Sequence, residues 1–201
     1  MKYSEFESIE HVAQHYPLRS IKQRFLPDYV IDVPDWFQER LNFALEKQGD
    51  VESELYFREY IISRFIEEAW ILHPNLKLWV NRKLEYKDEL TGEPDYFLAS
   101  LIKKASHDPV GRPLLAVSEA KRENFTKGWG QCLAAMIACQ KLNDDENITI
   151  YGIVCTGDTW QFGKLEQELL TRHPLSYSVS QPERIFGMLD YVFGECEKLA
   201  V

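Results

Sequence analysis

Apolar and polar positions along this chain change period several times, and each change marks an expected element. Over residues 4–16, Phe6, Ile9, Val12, Ala13 and Tyr16 recur at the spacing of one helix face. Ser4 and Glu7 stand there in capping-box spacing, so a peripheral amphipathic helix is expected. An irregular stretch through Pro27 and Pro34 follows. DWFQERLNFALEKQG then returns to helical periodicity through Phe37, Leu41, Ala44 and Leu45, with Gly49 as a stop. A third helix is predicted over residues 51–72, apolar on one side through Leu55, Ile62, Phe65, Ile66 and Ala69. From there the period shortens, and LKLWVNRKLEY, GEPDYFLAS and LLAVSEAK read as three strands, with a turn at Thr91-Gly92. A helix beginning near Thr126 or Gly128 and running to Leu142 carries the seam Cys132, Ala135, Met136, Cys139 and Leu142. ITIYGIVCTGDTWQFGKLEQ reads as a strand, a Thr-Gly-Asp-Thr turn and a return strand. The tail from Pro182 to Leu199 is an amphipathic helix with Ile185, Leu189, Val192, Phe193 and Cys196 inward.

The middle of this order holds the candidate chemistry. Pro94-Asp95 opens one predicted strand, where a proline costs no ladder hydrogen bond, and Ser118-Glu119-Ala120-Lys121 ends the next. Strand side chains alternate, so Glu119 and Lys121 share a face while Ala120 points away. If the two strands are neighbours, Asp95, Glu119 and Lys121 converge. Two buried carboxylates repel unless a cation compensates them. Magnesium takes one or two protein carboxylates and completes its octahedron with waters and phosphate oxygens, which suits such a pair. Pro27-Asp28 and Pro34-Asp35 repeat the dipeptide without this strand context and read as turn or helix-start signals. The structural alternative for Glu119 and Lys121 is a solvated strand end with a surface ion pair.

With Pro94-Asp95, Glu119 and Lys121 in this order, the chain resembles the PD-(D/E)xK nuclease superfamily over roughly residues 50 to 165. The resemblance implies an α/β fold with a restriction endonuclease-like core: a central mixed sheet of four to five strands flanked by helices. One domain over 1–201 is expected, with an N-terminal helical extension (1–49), the nuclease-like core (50–165) and a C-terminal helical segment (166–201). Metal ligation by Asp95, Glu119 and the main-chain carbonyl of Ala120 is implied, with Mg2+ as cofactor and Mn2+ as substitute, and a catalytic role for Lys121. Gln131 resembles the glutamine that many members place beside the metal, the alternative being an ordinary surface glutamine. The string ELYFR, Glu54 to Arg58, is similar to the Glu-x-x-x-Arg helix in the nuclease domain of type I restriction motor subunits, which makes Glu54 a further site candidate and Glu59 the second choice. For either acid the alternative is an exposed helix carboxylate within reach of Arg58. A Thr-Gly turn followed by Trp160-x-Phe162 also looks like the strand pair after the second motif in those domains.

The function implied is metal-dependent hydrolysis of phosphodiester bonds in nucleic acid, DNA before RNA, with endonuclease and exonuclease action both open. The alternative from another class is a non-catalytic nuclease-fold module that binds or regulates. An unrelated α/β protein with accidental matches is the third. A homodimer is compatible, since cutting two strands calls for two sites related by symmetry.

Composition adjusts this picture only in part. At 201 residues with 45% apolar content the chain can bury a full core. A net charge of -9 argues against a protein that coats nucleic acid through dense Lys and Arg, although Lys103, Lys104, Arg112, Arg122 and Lys127 gather around the motif strands. Four cysteines without CxxC spacing argue against a zinc site or a disulfide framework. His11 and His15 share a helix face but have no third ligand. No stretch approaches the roughly 20 apolar residues of a membrane span, and the start MKYSEFESIEH lacks the order of a secretory signal, so a cytoplasmic protein is expected.

Overall fold

Residues 1–49, 52–102, 110–120 and 124–200 are described by the structure, a computed structural model, with the side chains of residues 117–119 excepted. In chain order the elements are a 3-10 turn (Tyr3–Glu5), α1 (Ile9–Ala13), β1 (Arg19–Lys22), α2 (Asp35–Lys47), α3 (Glu54–Phe57), a π-turn (Arg58–Ile62), α4 (Ser63–Ile71), β2 (Leu76–Val80), β3 (Leu84–Tyr86), β4 (Leu90–Gly92), β5 (Tyr96–Ser100), β6 (Leu114–Ala120), α5 (Phe125–Asn143), β7 (Ile150–Cys155), β8 (Thr159–Glu166), β9 (Leu169–Arg172), β10 (Tyr177–Ser178) and α6 (Pro182–Leu199).

An eight-stranded mixed sheet runs in the order β1-β9-β8-β7-β6-β5-β2, with β10 on β8. Its centre is β7, whose six residues are all buried, as expected of an apolar strand covered on both faces. β7 lies parallel to β6 and antiparallel to β8, so β6, α5 and β7 form a crossover unit. One face packs on α2, α4 and α6 through Phe37, Phe65, Ile66, Ile185, Leu189 and Phe193. The other packs on α5, whose outer side is covered in turn by the N-terminal residues Phe6, Ile9 and Val12 and by the small β3–β4 sheet. Residues 128–139 of α5 are therefore buried without interruption, in place of the single seam expected from its periodicity. Gly130 permits this layering: a Cβ there would stand 2.7 Å from Ser8 N and 2.9 Å from Phe6 O.

Several expectations are corrected. The sheet has eight strands, not four to five, because β1, β9 and β10 join it. β1 is exposed at every residue and lies in a stretch read as irregular, so it offers no alternation to detect. β9 and β10, four and two residues long, are too short for a period, yet they put strands into the C-terminal segment expected to be helical. The N-terminal helix is broken: α1 starts after Ser8, whose hydroxyl accepts the His11 amide, so Ser8 rather than Ser4 caps it. LKLWVNRKLEY splits at Asn81, which turns with a φ of 46°, and Thr91 and Gly92 belong to β4 rather than to a turn. All four cysteines are free and buried, and His11 and His15 pack in an aromatic cluster with Phe6.

The join between β1 and the rest of the sheet carries a titrating group. Buried His173 accepts at Nδ1 from the Phe25 amide at 3.4 Å and the Leu26 amide at 3.3 Å, while Nε2 meets the Tyr177 hydroxyl at 3.2 Å. Burial, helped by Arg24, lowers its pKa below the ordinary 6.5. Its neutral form is therefore the folded form, and its contribution to stability is present above the unfolded value and lost as pH falls through it. Thermal melting is expected to drop between about pH 7 and pH 5.5, and more steeply for wild type than for His173→Gln, which keeps an acceptor and does not titrate. Equal slopes for the two proteins would remove His173 from this role.

Candidate active site at the β5–β6 sheet end

Strands β5 and β6 are antiparallel neighbours, with Tyr96 opposite Ser118 and Phe97 opposite Val117. One further step along this register sets Asp95 opposite Glu119, and Glu119 in turn pairs with Val154 of β7. The two motif strands therefore meet, and Asp95, just before β5, lies alongside the end of β6 at one end of the sheet. The side chain of Glu119 and the whole of Lys121 lie outside the described residues.

Asp95 is 8% exposed, and both of its carboxylate oxygens are engaged. Oδ1 accepts from Arg58 Nη1 at 2.9 Å, and Oδ2 accepts from the Ala120 amide at 2.8 Å. The backbone reinforces this hold, since the Asp95 carbonyl accepts from the Asn81 amide at 3.0 Å. A buried carboxylate thus finds a cation and an amide instead of an unpaired environment. Arg58 opens the π-turn, a single wide turn that shifts the angular placement of the residues around it. Its Nε donates to Glu59 Oε1 at 3.3 Å, and its carbonyl accepts from the Tyr96 hydroxyl at 3.3 Å. Burial works against the guanidinium's charge, but the hydrogen bond and charge of Asp95 outweigh it and hold the Arg58 pKa above its usual value.

Arg58 is the site residue that reading the sequence assigned no role of its own. Its signal was present: Arg58, Ile62, Phe65 and Ala69 follow the three-to-four spacing of the helix's apolar stripe, so a cation heads the buried face, while Leu55, expected in that stripe, is exposed. Glu59 joins the site through Arg58, whereas Glu54 opens α3 on the exposed side and is not among the residues lining the cavity beside Asp95. That cavity measures about 500 Å³, and its walls include Asp95, Gln131, Glu93, Lys83, Thr91 and Ser4. Gln131 is 5% exposed, not a surface glutamine, and its Nε2 donates to the Ser4 carbonyl at 3.4 Å. Asp95 and Gln131 are thus brought to one cavity from β5 and α5.

The chemistry of these donors suits a hard divalent cation. Each Asp95 oxygen has a lone pair beyond the one its partner uses, and carboxylate, amide and main-chain oxygens are the ligands such ions take. Among the described residues no group of three or more His, Cys, Asp or Glu side chains could hold a metal, so a metal site here needs Glu119 or main-chain oxygen as well as Asp95. No helix among the described residues is long and apolar enough to cross a membrane.

No family model matches this chain, and no curated protein matches it significantly. Among solved structures, a cryo-EM structure of a DrdV–DNA complex aligns over 78% of this chain with 16% identity and a TM-score of 0.47, and the chain spans 13% of the length of that protein.

Proposed function

We propose that this protein hydrolyses phosphodiester bonds of nucleic acid, DNA before RNA, at the end of the β5–β6 ladder. The observation that carries this reading is the register that puts buried Asp95 opposite Glu119, with Gln131 in the same cavity. Asp95, Glu119 and the Ala120 carbonyl would hold a divalent cation, Mg2+ first and Mn2+ as substitute. Such an ion supplies an acidified water and charge neutralisation on the phosphate when bound.

The chain's own residues have separate tasks. Arg58 and the Ala120 amide fix the Asp95 carboxylate in one orientation, which removes the cost of ordering it when substrate arrives. Lys121 would orient or deprotonate the attacking water and offset developing negative charge, a task for a compact point charge. Gln131 would position a water or a strand oxygen through its amide. Glu59 would act on Asp95 through Arg58, with which it is paired, and Glu54 is kept as a candidate from the resemblance.

One observation favours the non-catalytic alternative: Arg58 already neutralises Asp95, the service a metal would perform. The two readings separate on Lys121→Ala. For the nuclease, metal-dependent cleavage is expected to fall by at least about 100-fold with unchanged melting temperature, as when a single transition-state charge is removed. Cleavage by Lys121→Ala at the wild-type rate would end that assignment, and no cleavage by wild type on duplex, single-stranded or branched substrates would favour the binding module.

A further inference from the structure

A second cleft lies on the same face of the sheet. It measures about 220 Å³ and is bounded by Lys22 of β1, Arg172 of β9, Gln161 of β8, Phe125 and Thr126 of α5, and Glu10. Lys22 stands beside Arg172 in the parallel β1–β9 ladder. The Arg172 Nε is buried with no hydrogen-bond partner, and among the described residues neither cation is held in a salt bridge. Glu10 on the cleft wall feels the charge of Arg172, so the cleft sets two adjacent cations against one carboxylate and keeps a net positive field suited to an anion.

The register ties this cleft to the Asp95 end of the sheet. Gln161 pairs with Val154, and Val154 with Glu119, so Gln161 shares the rung that Asp95 extends. Its side chain is fixed between Trp129 Nε1 at 2.8 Å and Ser176 Oγ at 3.2 Å. Arg172 pairs with Gly163, Gly163 with Gly152, and Gly152 with Val117, two residues inward. A Cβ on Gly152 or Gly163 would strike Met136 or Trp129 of α5, so this row lies on the α5 face, as does the rung of Asp95 two residues on. At about 4.8 Å per strand, Arg172 is about 19 Å and Lys22 about 24 Å from Asp95 across the sheet. A strand rising 3.4 Å per nucleotide covers that span in roughly six or seven nucleotides.

We propose that Lys22 and Arg172 grip the phosphate backbone of the nucleic-acid substrate about six nucleotides from the bond held at Asp95. The arginine offers a fork for two phosphate oxygens and the lysine a point charge. This inference rests on the nuclease reading for the identity of the anion.

The test is anisotropy of a fluorescein-labelled DNA duplex over a salt series in EDTA, where binding is read without cleavage. Wild type is expected to bind, and Lys22→Ala/Arg172→Ala to bind about tenfold more weakly with a salt slope shallower by about two, near 0.9 for each lost phosphate contact. Lys22→Ala alone changes an exposed edge residue, keeps the fold, and is expected to lower the slope by about one. Lys198→Ala, which removes a remote exposed cation, should change neither. An unchanged slope in the double variant, an equal loss in Lys198→Ala, or no binding by wild type overturns the proposal; the first would leave Lys22 as a charge that guards the exposed edge strand β1 against strand pairing. If wild type binds and the double variant binds more weakly with the shallower slope, the proposal stands even where wild type cuts no substrate, in which case the cleavage reading fails by itself. Cutting by wild type with an unchanged slope overturns the phosphate contact and spares the cleavage reading.

Discussion

Asp95→Ala is expected to remove metal-dependent cleavage and to destabilise the protein in the same step. The substitution leaves the half-buried Arg58 guanidinium and the Ala120 amide without their acceptor. Breaking a buried ion pair from one side costs about 3 kcal/mol, more than the pair's net contribution, because the remaining charge stays desolvated. For a domain of this size that corresponds to a melting temperature lower by roughly 6–12 °C. Asp95→Asn keeps an oxygen for the Ala120 amide but gives up the charge, so about half of that loss is expected. Cleavage should fall by at least about 100-fold in both variants. The contrast separates fold from chemistry: a variant that melts nearly like wild type yet does not cut has lost a metal ligand, not its architecture. Equal melting of Asp95→Ala and wild type would mean that the Arg58 pair contributes nothing to the fold.

Gly130→Val is expected to lift the N-terminal segment from α5. Its Cβ would press on the backbone at Ser8 N and Phe6 O, and backbone in a packed segment cannot turn aside as the end of a flexible side chain can. Overpacking of this kind costs about 3 kcal/mol, against which a few tenths regained from helix propensity are small. The consequence reaches the site, since Tyr3 and Ser4 wall the cavity and the Ser4 carbonyl accepts from Gln131. Protease cleavage within residues 1–16 is expected to accelerate in the variant, with lowered melting temperature. Resistance equal to wild type would show that the N-terminal segment does not depend on this contact.

How much of this was legible in the sequence depended on the physical signal each element leaves. α6 appears between the residues its periodicity marks, Pro182 and Leu199, because a one-sided apolar stripe and a proline at the first turn act together. β6 and the β7–β8 hairpin follow their apolar runs and the Thr-Gly turn. The exposed edge strand β1 and the short β9 and β10 pair through backbone groups, which leave no side-chain pattern, so the sheet is wider than expected. At the site, the expected convergence of Asp95 with Glu119 was conditional on strand pairing that periodicity cannot fix; the β5–β6 ladder supplies the pairing, while the Glu119 side chain lies outside the described residues. Arg58 was visible as a cation on an apolar stripe, but its partner came from a strand 37 residues away, beyond any local pattern. The π-turn that follows Glu54 and contains Glu59 is likewise a feature that local sequence does not announce.

The central claim is a metal-dependent phosphodiesterase site built on Asp95, and its most direct test is cleavage of labelled duplex, single-stranded and branched DNA and RNA by wild type and Asp95→Asn, with Mg2+, with Mn2+ and with EDTA. The expected result is cutting by wild type that EDTA abolishes and either ion restores, with at least about 100-fold less in Asp95→Asn. Cutting that persists in EDTA, or at the same rate in Asp95→Asn, would contradict it.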